Sequence, residues 1–334
     1  IRARRHTVID FDSQFDESAM NKVIGWCYSS VGKRIQKSLY LGIATVGVSW
    51  PFLYHGPASE KIRLIYSFYR LGHPIHVPDN LLEICDSVLK RVQSPQWNDD
   101  NINFFICSGF TTTSFGSVHM RTGGFVGLPI NMAYSHKSQI QRQEMKVNRD
   151  HVPENIPWHT PEGQALLDSL ILSDDAKKFA IGKEIYMITK PSCYVETGIV
   201  GMFFLNTYLM SKFLNSKLKL MKLGLKFRLI NYVFMSVLNL VICTALKDVN
   251  TSFRDAWSDK FACNLGPDFV QGGVEYYSKC IERNKALRFL MGTNGESLYT
   301  AGGNRISFFR IKSYPLTAHR DELQKLLKTS VQCE

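Results

Sequence analysis

Three stretches of this chain are apolar for about the length that a membrane helix needs, and their interiors are uncharged. Residues 38–54 read SLYLGIATVGVSWPFLY and follow Lys33, Arg34 and Lys37. Residues 195–214 and 229–246 form a second pair, separated by a short polar stretch. At a rise of about 1.5 Å per residue, each approaches the ~30 Å of a bilayer's hydrocarbon core. Glycines and Pro51 in the first are better tolerated in lipid than in water. The pair predicts a helical hairpin over residues 195–246, with Asn206, Asn231 and Asn239 hydrogen-bonding between its arms.

Outside these stretches the pattern changes period. Residues 101–110, 114–120 and 123–130 are short apolar runs broken by Gly and Thr, which predict a small antiparallel sheet. Residues 160–190 carry apolar positions at helical spacing, and Ser173 followed by Asp174 and Asp175 suits a helix cap and first turn. Residues 251–265 and 269–290 read as two further helices parted by Gly266-Pro267. The expected fold class is therefore α+β, a multi-pass membrane protein. Its order is a divergent segment (1–37), a transmembrane helix (38–54), the first part of a soluble domain (55–194), a transmembrane hairpin (195–246) and the second part of that domain (247–334).

Charge sharpens the topology. The formal charge of +11 does not describe a basic domain, because acids and bases cancel across residues 54–194. The excess lies in residues 211–229, where Lys212, Lys217, Lys219, Lys222, Lys226 and Arg228 have no acidic neighbour. Such a loop suits anionic lipid headgroups, and it matches no nucleic-acid motif, so no nucleic-acid partner is expected. Positive charge stays on the side where a chain is retained, which puts the 33–37 flank and the basic loop in one compartment and both soluble blocks in the other. Arg2, Arg4 and Arg5 resemble the tail of a transit peptide, while Asp10, Asp12, Asp16 and Glu17 argue against its continuing. The eight cysteines are scattered without a CxxC pair, so inert buried thiols are expected.

The order of strands, helix, hairpin and later helices, with the segment GKEIYMI at residues 182–188, resembles membrane-bound zinc metallopeptidases that use an HExxH helix. In those enzymes two histidines one turn apart bind zinc and the glutamate between them is the base. Here Glu184 matches the base, while Lys183 and Met187 stand at the histidine positions. DAWSD, residues 255–259, resembles the later ExxxD stretch with Asp255 as the ligand and Asp259 closing it. SYPLTAHRDEL, residues 313–323, is similar to a terminal HPxxxxR segment, with Arg320 retained. An ammonium offers zinc no lone pair and a thioether is a poor ligand, so the expectation is a degenerate site with no metal, no cofactor and no catalytic residue. The competing expectation is a peptidase that gathers metal by His119, His136 or His151 near Asp255. The HPIH run at residues 73–76 lacks a third ligand, and MGTNGES at 291–297 lacks the Lys-Ser/Thr of a phosphate loop.

The most specific motifs are GGVEYYSKCIERNKALRFLMGTNGESLYTAGGN (272–304), FRIKSYPLTAHRD (309–321), LSDDAKKFAIGKEIYMI (172–188) and GGFVGLPI (123–130). On these the chain resembles the transmembrane protein 177 family over most of its length beyond about residue 39. That resemblance implies a protein of the mitochondrial inner membrane, where the charge bias puts the N-terminus and basic loop in the matrix and the soluble domain in the intermembrane space. It implies a non-enzymatic role in cytochrome c oxidase biogenesis, stabilising newly made subunit 2 and its assembly chaperone.

Overall fold

The computed structural model describes residues 22, 25–26, 29–92, 101–142, 156–190, 192–307, 310 and 314–332. The N-terminal arginines and His151 lie outside the described residues. By internal contacts the chain divides into two compact units, residues 1–48 with 201–239 and residues 49–200 with 240–334.

Helices α1 (Ser30–His55), α6 (Ser192–Lys217) and α8 (Leu225–Cys263) carry the three apolar stretches, and α7 (Leu220–Leu223) lies between the last two. Within the first unit the asparagines pair as expected of a hairpin. Asn206 Nδ2 donates to Asn239 Oδ1 at 2.9 Å, and Asn231 Nδ2 donates to Asn215 Oδ1 at 3.1 Å and to the Ser211 carbonyl at 3.2 Å. The Tyr40 hydroxyl donates to the Phe204 carbonyl at 2.5 Å. The expected basic loop is shorter than residues 211–229. Lys212 and Lys217 lie on α6 and Lys226 and Arg228 on α8, which leaves Lys219 and Lys222 in the connection. Lysine, arginine and leucine favour helix, so hydrogen bonding continues past the point where apolarity stops. Among the described residues one helix, Leu225–Cys263, is long and apolar enough to cross a membrane.

The second unit holds the remaining elements: α2 (Ser59–Tyr66), β1 (Tyr69–Arg70), β2 (His73–Pro74), α3 (Asp79–Val92), β3 (Ile102–Cys107), β4 (Thr113–Gly116), β5 (Gly124–Pro129), α4 (Pro161–Leu170), α5 (Asp174–Thr189), α9 (Pro267–Leu290), α10 (Thr293–Leu298) and α11 (Leu316–Gln332). The three expected strands are present, but the sheet is mixed, not antiparallel. Its order is β3-β5-β4, with β3 parallel and β4 antiparallel to β5. Two chain reversals separate β3 from β5, so they run the same way, and β5, buried at every position, takes the centre. The second reversal needs glycine. At Gly116 (φ +80°) a Cβ would lie 2.5 Å from the Gly123 carbonyl oxygen.

The single helix expected over 160–190 is two, α4 and α5, because Ser173 stops one and starts the other. Its hydroxyl accepts from the Ala176 amide at 3.2 Å and donates to Glu275 at 2.5 Å. The core forms where α5 (Ile181, Ile185, Ile188) packs between α3 (Leu81, Val88) and the sheet (Val126, Leu128), with Phe269 of α9 against it. Conversely, the helix expected at 251–265 is the continuation of α8, since no breaker interrupts residues 247–250. Helix α9 crosses the start of α5 so closely that a Cβ at Gly272 would meet the Asp175 carbonyl oxygen at 2.2 Å. Gly272→Ala is therefore expected to lower stability by about 1–3 kcal/mol, read as a shifted denaturation midpoint of the detergent-purified chain.

Candidate functional site

Lys183 and Glu184 are adjacent on α5, about 100° apart around the helix, and serve different neighbours. The Thr112 hydroxyl, in the turn before β4, donates to Glu184 Oε1 at 2.5 Å. Nearby, an Arg283 guanidinium on α9 donates to the Phe110 carbonyl at 2.5 Å, which fastens the same turn. The Cys107 thiol at the end of β3 is pushed up to about 12 by burial, reinforced by the Glu184 carboxylate, and is inert at neutral pH.

Lys183 points the other way, into a cluster built by four helices. Its ammonium donates to the Tyr277 hydroxyl of α9 at 2.6 Å and lies 3.0 Å from Asp259 Oδ1 of α8. Tyr277 in turn donates to the Asp259 carboxylate at 2.7 Å, and His319 of α11 lies with Nδ1 2.5 Å from Asp259 Oδ2. The His319 ring stacks on Tyr277, with centroids 4.9 Å apart and planes 10° from parallel. Asp259, Tyr277 and His319 are all at least 95% buried. One carboxylate thus accepts from an ammonium, a phenol and an imidazole, and that satisfies a charge that burial alone would not tolerate.

The electrostatics follow from those contacts. Burial pushes the Asp259 carboxyl up, but Lys183 and the His319 hydrogen bond outweigh it and hold Asp259 below the usual carboxylate range. Burial likewise disfavours the Lys183 ammonium, yet Asp259 and Asp255 outweigh it and raise its value. Asp255 is raised, chiefly by burial, with Lys183 offsetting part. Asp259's contribution is present above its unfolded value near 3.9 and is lost as the pH falls through its lower folded value. Lys183's contribution is complete below about 10.4 and is lost as the pH rises through its raised folded value. Asp255 acts in the opposite sense to Asp259, favouring the fold when protonated. Thermal melting of the purified chain is thus expected to weaken at both extremes, and Lys183→Met is expected to remove part of the alkaline limb.

The acidic pair therefore divides differently from the sequence expectation. Asp259, not Asp255, contacts the residue at the first histidine position, because the phase of α8 against α5 turns Asp259 inward. Met187 offers its carbonyl to Arg254 at 3.5 Å. Arg320 pairs with its neighbour Asp321 at the surface, and the residue before it, His319, is the one that enters the cluster. Sequence reasoning passed over Tyr277 and His319, although both lie in the most specific motifs. A zinc ion does not fit here, since the ammonium of Lys183 occupies the carboxylate that a cation would need. His119 is engaged with the Thr189 carbonyl at 3.0 Å, and His136 begins a short 3-10 turn. Among the described residues no group of three His, Cys, Asp or Glu side chains is placed to hold a metal.

An α+β protein with a membrane-competent helix, whose far end supplies the carboxylate of a buried Lys-Asp-Tyr-His cluster, is the class that fold and site define. The chain belongs to the transmembrane protein 177 family, whose profile matches residues 29–313. It is similar to transmembrane protein 177 of Mus musculus, 27% identical over 92% of this chain and 97% of that one. The proteins of that name from Homo sapiens (25% identical, 90% of this chain and 95% of that one) and Danio rerio (26%, 82% and 88%) are similar too. No solved structure matches the chain.

Proposed function

We propose that this chain is a non-enzymatic assembly and stability factor for cytochrome c oxidase, holding newly made subunit 2 and its membrane chaperone in the mitochondrial inner membrane. The client and compartment are those the family resemblance implies. In this reading the chain crosses the bilayer at residues 38–54, 195–214 and 229–246. The N-terminus and basic connection face the matrix, where Lys212, Lys217, Lys219, Lys222, Lys226 and Arg228 meet anionic headgroups. The body in the intermembrane space is a peptidase-like domain that has lost its metal.

The observation that supports the non-catalytic half is the Lys183 ammonium, 3.0 Å from Asp259 Oδ1. It supplies internally the positive charge that a peptidase would take from zinc, and leaves Glu184 bonded to Thr112 without a metal-bound water to activate. A holding protein needs membrane segments and a stable body, and none of the chemistry. The test is affinity capture of the full chain from mitochondria after pulse-labelling the proteins made inside them. Labelled subunit 2 is expected in the eluate soon after synthesis, and its absence at all chase times would overturn the assignment.

A further inference from the structure

The exposed face of α8 stays apolar beyond residue 246. Ile242, Leu246, Val249, Phe253 and Trp257 recur at helical spacing and all are exposed, Phe253 by 63% and Trp257 by 57%. This stripe runs past the polar stretch that begins at Lys247 and ends at Lys260, whose ammonium lies 5.3 Å from the centre of the Trp257 ring. From Leu229 to Trp257 the helix rises about 40 Å, about 10 Å more than the hydrocarbon core, so a crossing α8 would carry Val249 to the far edge of the core, Phe253 into the headgroup layer and Trp257 to its outer margin. A tryptophan and a lysine at the end of an apolar helical stripe suit that interface.

Beside this end lies a groove of about 700 Å³, lined by Tyr186 and Lys190 at the end of α5, Trp257, Lys260 and Phe261 of α8, and Leu326 of α11. Apart from the two lysines and Asn264, its lining is apolar or aromatic. Lys190 lies 5.3 Å from the centre of the Tyr186 ring. Among the described residues neither lysine pairs with a carboxylate, and the groove lining contains none. Two ammonium groups at an apolar trough call for a ligand that is anionic at one end and apolar at the other.

We propose that this groove binds the headgroup of an anionic phospholipid, with its phosphate between Lys190 and Lys260 and an acyl chain along Phe253 and Val249. The site serves the opposite end of α8 from the basic connection, and the proposal rests on α8 crossing a membrane. An acidic peptide would share the charge but would not need the stripe below.

The full chain in phosphatidylcholine nanodiscs doped with photoreactive phosphatidylglycerol tests it, with crosslinks mapped by mass spectrometry. Crosslinks are expected on residues 257–261, reduced about fivefold by Lys190→Gln or by Lys260→Gln. Lys217→Gln with Lys222→Gln should leave them unchanged. Equal labelling by photoreactive phosphatidylcholine, displacement by inorganic phosphate or by an acidic peptide, or indifference to both groove lysines would overturn the site. Reaction of a Val241→Cys chain with a water-soluble maleimide distinguishes the two levels. If that cysteine is protected while the groove is unlabelled, the site alone fails; if it reacts, the crossing fails and the site with it.

Discussion

Asp259→Asn is expected to cost about 3–5 kcal/mol of stability, because it removes the carboxylate that a buried ammonium touches. Lys183 keeps a phenol as partner, and a phenol cannot balance an ammonium out of water. The substitution also weakens the acceptor shared by Tyr277 and His319, so the polar attachment of α11 to α8 and α9 loosens. Chemical denaturation of the detergent-purified chain reads the first effect, and amide exchange across residues 316–332 reads the second. Lys183→Met should cost less, since Asp259 retains Tyr277 and His319. Combined with Asp259→Asn it should recover part of the loss, because the ammonium that had lost its contact is then gone as well. If Asp259→Asn melts within about 0.5 kcal/mol of the native chain, in the range of an ordinary surface change, the cluster does not hold these helices together.

The second large effect concerns the membrane. Val237 and Val241 lie one turn apart near the middle of the apolar run of α8, exposed by 55% and 60%. An arginine at the centre of a membrane helix costs about 2.5–3.5 kcal/mol, so Val237→Arg with Val241→Arg should cost about 5–7 kcal/mol. The double variant is expected to lose the crossing of α8, read as reaction of a Leu240→Cys reporter with a water-soluble maleimide, whereas with the two valines in place that cysteine is protected. A soluble protein would react in both backgrounds, so reaction of the reporter with the two valines in place would count against α8 as a span.

The apolar helices were legible because hydrophobicity reports directly on where a helix can meet lipid. Their ends were not, since backbone hydrogen bonding continues to Lys217 in α6 and through Lys247 in α8 after apolarity stops. Strand positions were visible in the runs around Phe104, Phe115 and Val126, but strand order was not, because alternation does not record which edge of β5 each neighbour takes. In the site, Lys183 and Glu184 stood out because one departs from the HExxH pattern and the other keeps it. Their partners did not. Asp255 and Asp259 lie one turn apart and differ only in which faces α5, which tertiary packing decides. Tyr277 and His319 join from helices distant in sequence, and no local spacing connects them.

In the proposed role the chain holds a client without catalysing a reaction on it. Its most direct test is the lifetime of newly made cytochrome c oxidase subunit 2 in cells whose native chain has been replaced by Glu184→Gln. The variant keeps a hydrogen-bond acceptor for Thr112 and loses any capacity to act as a base. The expected subunit 2 lifetime equals that with the native chain, and is shortened with Val237→Arg and Val241→Arg. A lifetime shortened by Glu184→Gln, in a chain that is as abundant and as stably folded as the native, would contradict it.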